Sequence, residues 1–363
     1  MSSPAILPDG PYCRNYFFVG GEYVADDSKF GGCIMKGQTY VEHLVPIHGV
    51  RRRFPLIFVH GGGQSGLNWL HTPDDRPGWA SYFLDQGFAV YIMDTPSRGR
   101  SAPDFREHHT TYSTGFVEQW FTSPSPSSQW PQAALHTQWP GTGRRGDPIF
   151  DAFYSTTYPS VTDLCAYQEA QKQAIVALLR RIGSPSILVT HSQGAPGGWL
   201  AADACQQLVS AIVAVEPNGP PFAGTHPHNG EPARKWGLAD VPIEYSPPVT
   251  AVSELDLVTI PSSEPGRDPT VLQSEGDGRV IRKLKNLQQI PVLVEVGEAS
   301  YHAPYDHATV AYLRQAGVPC DFIRLEELGI KGNGHMQMLE LNNLEIAKVL
   351  DNWIQAKVES SNS

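Results

Sequence analysis

The chain has 363 residues, 40% of them hydrophobic and 18% charged, with a formal net charge of −10. That length suits one large α/β domain with insertions or two ordinary domains, and no stretch approaches the roughly 18–20 apolar residues of a membrane span. An acidic chain repels phosphate backbones, so nucleic acid is not an expected partner; the densest basic cluster, Arg51-Arg52-Arg53, reads as a solvated turn before a buried strand.

In chain order, Met1 to Pro11 lacks a basic start followed by an apolar core, so no signal peptide is read there and a cytoplasmic location is expected. Tyr16-Phe-Phe-Val-Gly-Gly-Glu-Tyr-Val24 reads as a strand, a Gly-Gly turn and a second strand. Gly37 to Pro46 alternates and reads as another edge strand. The character then changes to short apolar runs separated by helical segments. The strands fall at Phe54–His60, Ala89–Asp94, Ser186–Thr190, Ser210–Glu216, Pro291–Gly297 and Cys320–Leu325. The helices fall at Trp79–Gly87, Thr162–Ile182, about Gly197–Leu208, His307–Ala316 and Leu344–Val358. Continuous apolar strands alternating with helices mean a mostly parallel sheet covered on both faces, here opened by antiparallel strands.

Two stretches break the rhythm, about 97–160 and 217–285. Loops this long inside a compact domain are functional lids or disordered, and the aromatics of the first argue against disorder. The expectation is a single domain with both insertions forming a lid over the strand ends, where ligands bind in such sheets. In the first insertion Trp120, Trp139 and Phe153 are candidate substrate-binding side chains. Ser123-Pro-Ser-Pro-Ser-Ser128 is a loop of low complexity.

The segment Ile187-Leu-Val-Thr-His-Ser-Gln-Gly194 joins a buried strand to a helix through x-x-Ser-x-Gly. Such a turn lifts a serine hydroxyl to the top of a sheet, against a helix N-terminus. Small residues are needed two before and two after the serine, because strand and helix nearly touch. Gly194 complies; Thr190 does not, and its branched side chain is expected to shift the helix. Ser192 is therefore the candidate nucleophile, and it needs a base to lose its proton at neutral pH. Neighbouring His191 points away from it and reads as a structural histidine or pocket wall, and is kept as a candidate substrate contact.

Earlier, Phe58-Val-His-Gly-Gly-Gly-Gln-Ser-Gly66 follows a strand. Consecutive glycines let backbone N–H groups turn toward a developing oxyanion. Gly62 or Gly63, with Gln193, are the candidate donors; a phosphate-binding loop is disfavoured by the missing Lys-Ser/Thr. The base is expected in Gly332-Asn-Gly-His-Met336, after the last strand and before the last helix, which makes it His335. Three carboxylates compete as its partner. Asp306 lies near a helix start and is explained by capping. Glu298 follows a strand end. Glu216 ends an apolar strand, where a carboxylate is costly without a partner, and is favoured for that reason.

Over roughly residues 54–355 the chain resembles the α/β-hydrolase superfamily. Within it, it looks like a small group of esterases with a glutamate acid after strand six, one bacterial member of which carries adjacent cysteines at the oxyanion hole. The shared features are the Phe17-Phe-Val-Gly-Gly-Glu-Tyr23 opening, Gly141-Thr-Gly-Arg-Arg-Gly-Asp147, the Thr-His-Ser-Gln-Gly elbow and the step of 24 residues from Ser192 to Glu216. The resemblance implies Ser192, Glu216 and His335 as a triad. This chain has Gly62-Gly63 in place of the paired cysteines, so a redox role there does not carry over.

The expected reaction is hydrolysis of an ester, thioester or lactone of a small to medium apolar substrate, without cofactor. Its rivals are transacylation, lactonisation or carbon–carbon cleavage on the same scaffold, and a non-catalytic ligand receptor. Histidines recur at His108-His109, His226-Pro-His228 and His302/His307 without a carboxylate-rich partner set, so no metal is expected. The five cysteines, Cys13, Cys33, Cys165, Cys205 and Cys320, form no C-x-x-C pair; a bridge such as Cys13 to Cys33 stays open. The terminal helix and N-terminal hairpin would be able to support a homodimer.

Overall fold

The computed structural model describes residues 10–26, 28–104, 106–124, 129–224, 233–276 and 278–360. His226, His228 and residues 125–128 of the Ser/Pro patch lie outside them. Among the described residues an eight-stranded sheet runs through the molecule. Strands β1 (Tyr12–Ala25) and β2 (Cys33–Pro46) pair antiparallel along their whole length. The expected Gly-Gly turn is not a turn: Gly20 and Gly21 hold φ of 64° and 83° inside β1, and the ladder keeps its register past them, from Gly20–Gln38 to Glu22–Lys36. The chain reverses instead at Ser28 to Gly32, closed by Asp26 N–H donating to the Gly32 carbonyl at 3.0 Å. β2 is not an edge either, because its other side pairs with β4.

The remaining strands are β3 (Leu56–Val59), β4 (Val90–Met93), β5 (Ser186–Ser192), β6 (Val209–Pro217), β7 (Val292–Val296) and β8 (Cys320–Arg324). The spatial order is β1-β2-β4-β3-β5-β6-β7-β8, antiparallel at β1/β2/β4 and parallel from β4 onward. Alternate residues of each strand feed two separate cores, which is why the central strands read as unbroken apolar runs. Leu56, Phe58, Ile187 and Val189 face one core with helices α1 (Trp79–Asp85) and α5 (Asn343–Ile354). Ile57, Val59 and Leu188 face the other with α2 (Leu164–Ile182), α3 (Gly194–Ala204) and α4 (Asp306–Gln315). α2 starts where the Asp163 carboxylate accepts from the Ala166 N–H and stops at Gly183, φ 73°.

The buried apolar side chains of the two inserted stretches join different cores. Residues 97–160 carry Trp120, Phe121, Trp130, Trp139, Phe150 and Phe153 into the core of α1 and α5. From the second stretch, Leu238, Ile243, Tyr245 and Leu255 join the opposite core. All five cysteines are free, and Cys13 and Cys33 lie at opposite ends of the β1–β2 hairpin, paired in register with Val45 and Ala25, so they cannot bridge.

Candidate active site

β5 ends on Ser192 and α3 begins two residues later at Gly194. Ser192 holds φ 49°, a left-handed conformation that costs a non-glycine residue about 1–3 kcal/mol. The chain can turn this sharply because Gly194 passes close to the backbone of β3 and the residue after it: a Cβ there would lie 2.7 Å from the His60 carbonyl oxygen. The branched Thr190 is accommodated one turn further along, where a Cβ on Gly198 would lie 2.7 Å from the threonine Cγ2. The glycine that makes room for the side chain two before the serine therefore sits six after it.

The β5–β6 ladder pairs His191 with Val215 and Ser192 with Pro217. Glu216 is the extra residue of a bulge and has φ 44°; bulges of this kind re-aim a side chain at a sheet rim. Its buried carboxylate accepts from His335 Nδ1 at 2.6 Å, Ser300 Oγ at 2.6 Å and the Gly297 N–H at 2.9 Å. Of the three competing carboxylates, it alone meets the imidazole. Glu298 instead accepts from the Gly332 N–H at 2.9 Å, bracing the loop that carries His335. Asp306 pairs with His302 Nδ1 at 3.1 Å.

The His335 loop is tied from several sides. The buried Glu340 carboxylate accepts from the Gly334 N–H at 2.9 Å and the Asn333 amide at 2.7 Å, and meets His136 Nε2 at 2.7 Å. His191 Nε2 donates to the His335 carbonyl at 3.0 Å. The His335 ring lies between those of His302, parallel within 9° at 4.7 Å, and Phe121, at 5.3 Å. The Tyr301 hydroxyl lies against Ser192 and 3.3 Å from His335 Nε2.

Burial pushes the Glu216 carboxyl up to about 7, against the opposing pull of His302, Ser300 and Gly297. Burial and the neighbouring His302 hold the His335 imidazole well below its ordinary range. Donor atoms of Glu216, His302 and His335 lie within 4.8 Å of one another, a spacing open to a metal ion. One nitrogen of each ring is already engaged, Nδ1 of His335 by Glu216 and Nδ1 of His302 by Asp306.

A cavity of about 140 Å³ opens beside Ser192. Gly62 and Gln193 line it together with Tyr112, Phe116 and Phe121 of the first insertion and Tyr301 and Tyr305 of the loop after β7. Gly63 lies off this wall, at φ 68°, with its carbonyl accepting from the Tyr158 N–H at 2.8 Å. Arg98, fully buried, reaches the Gln193 side chain at 3.4 Å and the Pro159 carbonyl, and so ties the elbow to the insertion.

A family model described as "alpha/beta hydrolase fold" matches residues 55–248, more than half of the chain. The chain belongs to the α/β-hydrolase fold family. A relative from Fungal sp. (strain ATCC 74256), named probable secreted lipase phiG, is 47% identical over 349 residues, covering 95% of this chain and 90% of its own. The structure titled as the atomic resolution structure of a novel bacterial esterase superposes with a TM-score of 0.60 at 23% identity, covering 97% of this chain and 98% of that one. This relative, named as secreted, overturns the cytoplasmic location expected from the sequence. The expectation rested on the first eleven residues alone, which say little about export.

Within this α/β-hydrolase the four side chains expected to touch substrate are placed unevenly. Trp120 walls a second cavity beside the first. Trp139 and Phe153 pack on each other at 5.2 Å inside the insertion, and neither is among the residues around either cavity. Both rings are spent instead on the core that the insertion shares with α1 and α5. His191 is spent on the His335 carbonyl. The sequence reading missed Tyr112, Tyr301 and Asn218, all at the Ser192 cavity, and weighed His302 only as a metal ligand. A signal did exist for Tyr301 and His302: they share the loop after β7 already searched for the acid.

Proposed function

We propose that this α/β-hydrolase cleaves carboxylic esters, with Ser192 as nucleophile, His335 as general base and Glu216 as the acid that orients it. The observation that carries the reading is the 2.6 Å contact of Glu216 with His335 Nδ1, beside a serine held at φ 49°. The 47%-identical relative named a lipase supports ester substrates.

The steps follow from the geometry. Ester binding first displaces the Tyr301 hydroxyl from Nε2 of His335, which has one lone pair to offer. Ser192 then passes its proton to Nε2 as Oγ attacks the carbonyl carbon. Glu216 stabilises the imidazolium, and Ser300 and Gly297 keep the carboxylate charged through that moment. The backbone N–H groups of Gly62 and Gln193 hold the oxyanion. The alcohol leaves with the proton from His335; water, activated at the same nitrogen, releases the acid. The whole chain acts as one domain, with the insertions at about 97–160 and 217–285 roofing the site.

Ser192→Ala and His335→Ala test the reading on p-nitrophenyl acetate. Each is expected to lower kcat/KM by about 10⁴-fold or more with an unchanged melting temperature. Retained hydrolysis in a folded Ser192→Ala protein overturns it.

A further inference from the structure

The volume and partition of the site carry a statement about its substrate, which rests on Ser192 being the nucleophile. The cavity beside Ser192 is about 140 Å³; Tyr112, Phe116 and Phe121 line it on the insertion side and Tyr301 and Tyr305 on the loop after β7, with the polar Gln193, Asn218 and His302 completing its wall. An apolar cavity of about 150 Å³ holds one benzene. Tyr301 and Tyr305 also wall a second cavity of about 170 Å³, whose far side is Trp120, Trp130, Arg267 and Asp268. Two small chambers thus share the half-buried Tyr301 and the buried Tyr305 as a wall, and only the first is lined by Ser192.

An ester bound with its carbonyl at Ser192 has two groups to place. One stays in the inner chamber, and the other passes the tyrosines into the outer one. Together the chambers reach only the lower end of the roughly 300–1,000 Å³ used for drug-sized ligands. A long acyl chain needs a wide, continuous apolar channel, and here Tyr301 and Tyr305 narrow it. The outer chamber has a polar edge. Arg267 is held there by the Ala303 carbonyl and by Glu326 at 3.6 Å, beside the exposed Asp268.

We propose that the substrate is a compact ester, with a group no larger than one six-membered ring in the Ser192 chamber and a second small, polar-edged group between Trp120, Trp130, Arg267 and Asp268, and that Tyr301 and Tyr305 exclude long acyl chains. The class is a short-chain or aryl ester, not a long-chain acylglycerol.

The test is kcat/KM of the full chain along p-nitrophenyl acetate, butyrate, octanoate and palmitate, with phenyl acetate and emulsified triolein alongside. The expected profile favours the short esters over palmitate by on the order of 100-fold, with triolein scarcely cleaved. Tyr305→Ala widens the passage between the chambers and is expected to raise the octanoate-to-butyrate ratio about tenfold; Phe116→Ala, which widens the inner chamber from the insertion side, is expected to raise it in the same sense. Melting curves show which variants are folded. Palmitate or triolein cleaved as fast as butyrate by the unaltered chain, and lost in Ser192→Ala, overturns the size inference and leaves the nucleophile standing. Failure to cleave any of these esters overturns both.

Discussion

Glu216 reaches His335 because one extra residue in β6 turns the chain into the left-handed region at the sheet rim. Replacing it with glutamine keeps the shape and removes the charge that steadies the imidazolium. Glu216→Gln is expected to lower kcat by about 10³- to 10⁴-fold while the protein stays folded. The pH profile follows from the same pair. The active form is carboxylate with neutral imidazole, and the carboxyl is raised to about 7. kcat/KM should therefore be full above that value and fall as pH drops through it, and the Glu216→Gln variant should lack that limb. A profile flat from pH 8 to 5 would contradict the account. Ser192, Glu216 and His335 were legible in the sequence because each stands at a strand end or in a glycine-flanked loop in a fixed chain order. The contacts of Tyr301 and His302 with His335 were not, since they depend on how two loops, far apart in sequence, close on each other.

At the scale of elements, the elbow depends on a fit between a strand residue and a helix residue. Gly198→Ala puts a methyl 2.7 Å from Thr190 Cγ2 and is expected to cost about 1–3 kcal/mol, read by denaturant unfolding. Thr190→Ala in the same chain removes the obstruction and should recover most of the loss, a coupling visible only in the double variant. The threonine was readable as a departure; the glycine that compensates it was not, because helix phase decides which of Gly197 and Gly198 faces the strand. The parallel strands β3 to β8 were legible as unbroken apolar runs. The hairpin was misread at Gly20-Gly21 because a glycine pair at positive φ serves a kinked strand as readily as a turn, and only the pairing partner tells them apart.

For the whole molecule, stability comes from two cores on either side of one sheet, with no cross-link among the described residues. The melting temperature should be the same with and without reductant, and a drop of several degrees with dithiothreitol would mean that cysteines pair in solution. The placement of the insertions was only half legible. The aromatic content of the first announced an ordered layer, but the apolar side chains of the two join different cores, and the first insertion's rings that line the Ser192 cavity are Tyr112, Phe116 and Phe121, while Trp139 and Phe153 pack in the core of α1 and α5. Aromatic residues of one segment look alike in sequence whether they line a cavity or pack on each other.

The central claim is an activated serine at position 192. It is tested most directly by treating the full chain with a fluorophosphonate and locating the adduct by peptide mass. The account predicts one adduct, on the peptide carrying Ser192, absent from Ser192→Ala and strongly slowed in Glu216→Gln. An unlabelled Ser192 in folded protein, with a small probe that fits the 140 Å³ cavity, would contradict it.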